Sequence, residues 1–321
     1  MANVSGQRII ALEEHYLDPE IGKFLDSPEI RRAHIRERLE DVDKLRLQEM
    51  DAGGIDLQVL SHQAPATHRM DAASAVPLCV GANDRLHAIC QRHPTRFAGF
   101  ATLPAVDPKA AADELERAVT RYGFKGAMVH GLTHGEFIDT PKFWPIFERA
   151  QALDVPIYVH PALPHPAVIE AYYKDYANDY PQILTAGWGF TVETATQGLR
   201  LVLSGIFEKY PRLKIILGHL GEGLPFSLWR IDQAFARSGN KAIPFREVFR
   251  EHFYITTSGN FSTAAMLCSV MEMGVDRILF SIDYPFVDNR PGPIWMDQLP
   301  LATEDKVKIL SGNAERLLKL R

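Results

Sequence analysis

The chain has 321 residues, of which 46% are hydrophobic, 10% aromatic and 23% charged. That is enough apolar side chain for a large core, and it excludes a disordered, collagen-like or small disulfide-stapled chain. A net charge of −5 offers no basic excess for a phosphate backbone, which argues against nucleic acid, and no apolar run approaches a membrane span.

Short β-rich runs recur along the whole chain, and most are near-continuous apolar stretches, as expected of parallel strands covered on both faces. The first is 8–12. A charge-rich segment, 30–50, then reads as one long helix stopped by Gly53-Gly54, before a strand at 57–61. A third strand spans 97–103. Asp107-Pro108 supplies an N-cap and a first-turn proline for the helix that follows, and Gly123 stops it. After a strand at 126–130, Thr140-Pro141 opens another helix with Phe143, Phe147 and Ala150 on one face. Strands at 156–160, 214–219, 253–258 and 277–283 complete the series, and Thr303 starts the last helix. Eight βα units point to a (β/α)8 TIM barrel, with a doubly wound open sheet as the alternative. The stretch 161–188 is too long for a simple βα loop and reads as an insertion after the fifth strand. No repeat, low-complexity tract or linker interrupts this pattern, so residues 1–321 read as one domain. Cys79, Cys90 and Cys268 form no CxxC pair, and no basic-then-apolar leader opens the chain; both predict a cytoplasmic protein with reduced thiols.

A barrel places its chemistry at the C-terminal ends of its strands. Those ends carry Glu13-Glu14-His15, Ser61-His62, His130, His160, His219, Thr257-Ser258 and Asp283, so five of the 12 histidines fall there. Period-two alternation turns Glu13 and His15 to one side and Glu14 to the other. Glu, His and Asp together suit a divalent ion such as Mn2+ or Zn2+, and the lack of cysteine argues against a structural zinc. Lys125 lies at the start of the fourth strand, where it cannot bridge two ions, so one metal is expected. Glu222, three residues after His219, could hydrogen-bond its imidazole, or could simply start a helix. Arg230, two helical turns further on, could pair with Glu222, bind a substrate carboxylate, or pair at the surface with Asp232. Tyr16, Trp188, Phe190, Tyr284 and Phe286 near the mouth suit a flat ring or plain packing.

Several of these segments, taken together, resemble the amidohydrolase-superfamily (amidohydrolase 2) hydroxybenzoate decarboxylases. They are Ile10-Ala11-Leu12-Glu13-Glu14-His15, Tyr158-Val159-His160-Pro161, Gly218-His219-Leu220-Gly221-Glu222-Gly223-Leu224-Pro225 and Leu279-Phe280-Ser281-Ile282-Asp283-Tyr284-Pro285-Phe286. The γ-resorcylate (2,6-dihydroxybenzoate) type is nearest and the 2,3-dihydroxybenzoate type close to it, from about residue 8 to the C-terminus. The resemblance implies Glu13, His15, His160 and Asp283 as ligands of one divalent metal, Mn2+ or Zn2+ with Mg2+ as a further option, and no organic cofactor. It implies His219 and Glu222 as a catalytic pair, to which the chemistry of ring protonation adds Asp283 as proton donor. Arg230, His130, His62, Trp188, Phe190 and Phe286 then lie around a small aromatic acid. A homo-oligomer, dimer or tetramer, is also implied.

Three departures bear on the ring's substituents. His130 stands where the γ-resorcylate type has Asn, His62-Gln63 where it has an apolar residue and Asn before the Ala64-Pro65 pair, and Ala162 where Arg or Thr is usual. The expected activity is non-oxidative decarboxylation of an ortho-hydroxybenzoate with protonation of the ring carbon. The alternatives are a metal-dependent hydrolase of a lactone or amide on the same barrel, and a barrel that binds metal without turnover.

Overall fold

The computed structural model describes residues 6–26 and 30–320. Nine short parallel strands follow one another: β1 (Ile10–Tyr16), β2 (Leu57–His62), β3 (Phe97–Gly99), β4 (Ala101–Thr102), β5 (Ala127–His130), β6 (Ile157–His160), β7 (Ile215–Leu217), β8 (Phe253–Thr256) and β9 (Ile278–Leu279). They pair in sequence order as β1-β2-β3 and β4 through β9. The third barrel strand is divided at Phe100. Its N–H goes back to Leu60 O, whereas the next N–H, of Ala101, goes forward to Gly126 O. The ring closes where Leu12 bridges Ser281 and His15 N–H donates to Tyr284 O at 2.7 Å. Closure excludes the open sheet, and the eight-stranded barrel stands, with its third strand in two pieces.

Period-two alternation stacks the barrel interior in layers. Leu57, Val59, Phe100, Met128, Tyr158, Ile216 and Leu279 fill the lower part, plugged by Ala314, Leu317 and Leu318 of the helix Asn313–Leu318. Two residues further along β5 and β6 the same face carries His130 and His160. The apolar floor thus gives way to a polar mouth.

On β1, strict alternation from Ile10 and Leu12 would aim Glu14 inward. The structure avoids this with a bulge: the pairing with β2 shifts between Ala11 and Glu14, and Glu13 takes φ 62. The extra residue reverses the facing of everything after it, so Glu13 and His15 join the interior.

The segment 30–50 is not one helix. Helices Ala33–Glu40 and Lys44–Gly53 are separated at Asp41, whose Oδ1 accepts the N–H of Asp43 and Leu45 and so favours a break over continuation. The Asp107 cap accepts Ala110 N–H, and Gly123 closes that helix at φ 72, as read from sequence. The stretch after β6 folds into short turns (Pro166–Val168, Ile169–Tyr173, Lys174–Ala177, Pro181–Leu184) with Tyr172, Tyr176 and Tyr180 exposed. No described helix is long and apolar enough to cross a membrane.

Candidate metal centre and its surroundings

At the mouth, Glu13, His15, His160 and Asp283 each present one ligand atom, and these atoms all lie within 4.8 Å of one another. His160 Nε2 is 3.2 Å from Glu13 Oε1, and His15 Nε2 is 3.3 Å from Asp283 Oδ1. His160 Nδ1 donates to Pro161 O at 2.7 Å, which leaves Nε2 as the lone pair aimed at the cluster.

The two oxygens of Glu13 have different surroundings. Oε2 accepts from the hydroxyls of Tyr158 and Ser258, and from Thr256 at 3.4 Å. Oε1 is buried with no hydrogen-bond partner, and so is His15 Nε2. Buried polar atoms without partners are costly, and two of them in a nitrogen–oxygen donor set fit a divalent cation. Burial alone would raise the Glu13 carboxyl, but His219, His160 and His15 outweigh it and keep the group below the ordinary carboxylate range. Gly218 makes room for this arrangement: a Cβ there would lie 2.8 Å from Glu13 Oε2.

His219 to Gly223 run through five consecutive left-handed residues, with His219 at φ 50 and Glu222 at φ 55. Such a run is strained at its three non-glycine positions, and it folds Glu222 back onto His219, Nδ1 to Oε1 at 2.7 Å. Burial disfavours charge on His219, yet Glu222, Glu13 and Asp283 overcome it and hold the imidazole well above its usual range. Its Nε2 lies 3.8 Å from Glu13 Oε1 and 3.9 Å from Asp283 Oδ2. The His219 imidazole therefore faces the Asp283 carboxyl group, whose other oxygen joins the candidate ligand cluster.

A family model described as Amidohydrolase matches residues 25–320. The chain belongs to the amidohydrolase family. It is 42% identical over 327 residues to the gamma-resorcylate decarboxylase of Polaromonas sp. (strain JS666), covering 97% of this chain and 98% of the relative. A solved 2,6-dihydroxybenzoate decarboxylase complexed with 2,6-dihydroxybenzoate superposes with a TM-score of 0.89 at 40% identity, covering 98% of this chain and 99% of that one. A dihydroxybenzoic acid decarboxylase from Polaromonas sp. JS666, with bound manganese and the inhibitor 2-nitroresorcinol, gives 0.88 at 40% identity, covering 98% and 97%.

Around the centre of this amidohydrolase, His130 pairs in register with His160, and their Nδ1 atoms are 3.3 Å apart. Because His160 carries its proton on Nδ1, His130 Nδ1 is the acceptor and its own proton sits on Nε2. Burial, then the neighbouring His160 and His68, keep His130 neutral. The Phe286 ring is 5.8 Å from that of His15.

The other expected substrate contacts have different surroundings. His62 is buried with both ring nitrogens engaged, Nδ1 donating to Gln63 O at 2.7 Å and Nε2 accepting Asp18 N–H at 3.1 Å, so neither is free for a ligand. Arg230 is exposed on the helix Leu224–Phe235 and pairs with neither Glu222 nor Asp232 among the described residues. The spacing argument fails there because Glu222 precedes the helix and is turned onto His219. Trp188, 55% exposed, lines an apolar groove of about 590 Å³ that reaches Glu222, while Phe190 is half-buried and stacks on no described ring. Tyr16 and Tyr284 are packing residues, the first edge-on to His62 and the second beneath Arg46.

Sequence reading set Ser258 at a strand end without a role and missed the other hydroxyls around Glu13. Tyr158 sits two before His160, and Thr256 two before Ser258, so the same alternation could have found them. It also missed His68, whose Nδ1 meets Thr133 Oγ1 at 2.9 Å and whose Nε2 accepts His130 N–H at 3.4 Å.

Proposed function

We propose that this chain, a single barrel domain over residues 1–321, is a metal-dependent, non-oxidative decarboxylase of an ortho-hydroxybenzoate. The observation that carries the reading is the placement of Asp283, with Oδ1 beside His15 in the candidate ligand cluster and Oδ2 facing His219 at 3.9 Å. The substrates for which the relatives are named support the substrate class. Manganese in the Polaromonas relative favours Mn2+ over Zn2+ or Mg2+. Glu13, His15, His160 and Asp283 would hold the ion. When bound, it supplies positive charge that draws in and orients the phenolic and carboxylate oxygens of the substrate.

Direct cleavage of the ring–carboxylate bond would leave an aryl anion. Protonating the ring carbon first avoids this, because the ortho oxygen makes that carbon electron-rich. Asp283 Oδ2 delivers the proton, the carboxylate leaves as CO2, and its bonding pair returns to the ring to restore aromaticity. His219, held charged by Glu222, is the donor facing Oδ2 and resupplies the proton. His130, neutral with Nε2–H to offer, and the Phe286 ring flank the substrate. Three unpaired cysteines support a reducing, cytoplasmic setting.

The test is incubation of the Mn2+-loaded protein with a panel of ortho-hydroxybenzoates. Equal release of CO2 and the corresponding phenol is expected. Hydrolysis of lactones or amides, without CO2 from any benzoate, would overturn the reading in favour of a hydrolase.

A further inference from the structure

Glu14 lies between two candidate ligands and is itself fully buried behind them. Its Oε1 accepts Ile282 N–H at 2.9 Å, and its Oε2 accepts Tyr284 N–H at 3.4 Å. Those residues flank Asp283, whose φ of 73 is uncommon outside glycine. Gln58 Nε2 donates to Glu14 Oε2 at 3.3 Å, and its Oε1 accepts from Arg46 Nη1 at 3.1 Å. Arg46, also fully buried, donates to the carbonyl of His15 and lies 4.5 Å from the centre of the Tyr284 ring. One buried network thus grips the backbone at His15 and on both sides of Asp283.

We propose that Glu14 is a positioning residue for Asp283: its two oxygens clasp the peptide N–H groups either side and fix the direction of the Asp283 carboxylate toward His15 and His219. Two acceptor oxygens suit the task because each flanking N–H takes one, and a glutamine offers one acceptor oxygen and a donor. The inference rests on Asp283 serving as ligand and proton donor.

Glu14→Gln and Asp283→Asn are compared with the wild-type protein. Mn2+ affinity is read from the spin-resonance signal of free Mn2+, and kcat and KM on the best benzoate of the panel. Folding is checked by thermal melting. Glu14→Gln is expected to weaken Mn2+ binding and lower kcat, each about 10- to 100-fold, with KM little changed. A folded Glu14→Gln protein with wild-type Mn2+ affinity and kcat would overturn the proposal. So would a rise in KM alone, which marks lost uniform binding. Mn2+ affinity unaltered in Asp283→Asn would remove its foundation. Should the wild type decarboxylate nothing while Glu14→Gln still loses Mn2+, the clasp stands and the decarboxylase reading falls. If Glu14→Gln does not fold, amide hydrogen exchange in the wild type decides: Ile282 and Tyr284 N–H must be protected, and fast exchange at either refutes the clasp.

Discussion

His219 Nε2 and Asp283 Oδ2 face each other at 3.9 Å, one on the turn after β7 and the other on the turn after β9. Asp283→Asn keeps an oxygen for the ion but cannot pass a proton. Its turnover should fall about 10²- to 10⁴-fold, the usual worth of a general acid, while some Mn2+ is retained. CO2 evolution and metal analysis on one sample check this, and a near-normal rate would remove Asp283 as the donor.

Tyr158→Phe removes one hydroxyl from Glu13 Oε2 and leaves Ser258 and Thr256. Burial and the Glu13 charge keep the Tyr158 phenol well above its ordinary range, so it donates at every working pH. The loss should weaken Mn2+ binding about 10-fold at unchanged fold, as measured by metal titration.

His130→Asn should reorder the benzoate panel by about 10-fold or more in kcat/KM, because a polar group facing ring substituents discriminates through the hydrogen bonds it makes. An unaltered ranking would confine His130 to supporting His160.

Acid stability depends on His62 and His68, each pushed down to about 4, chiefly by burial. The unfolded chain takes up these protons near pH 6.5. Between about 6.5 and 4 the native state therefore binds fewer protons than the unfolded one, and stability is full above that window and declines as pH falls through it. Urea midpoints from pH 7 to 4 should show this decline, and His68→Asn should lessen the slope by about one proton.

The barrel and the clustering of Glu13, His15, His160 and Asp283 were legible because strand ends concentrate unusual residues. A histidine that terminates an apolar run sits where a buried strand meets the mouth, and five such endings outline one rim. The glycines around His219 and Glu222 announced the backward turn. Long-range effects were not legible. Arg230 and Glu222 have helical spacing, but the helix begins only at Leu224, with Gly223 before it and Pro225 in its first turn, and spacing alone does not weigh those marks. His62 has the same surroundings in sequence as a ligand, and only the fold brings Asp18 N–H to its free nitrogen. Alternation set Glu14 opposite Glu13 and His15, but it is the bulge at Glu13 that turns those two inward, and what lies behind the strand belongs to residues 282–284, beyond the reach of any local pattern.

The seam between β1 and the last strand sets an order of assembly. Glu14 and Ile282 are 268 positions apart, yet their neighbours share one pocket. During synthesis the first strand leaves the ribosome long before its final partner exists, and a chain halted after β8 owns only three of the four donors. An ion that needs all four donors would then find them only on the closed ring, so its binding would report that the first and last strands have met.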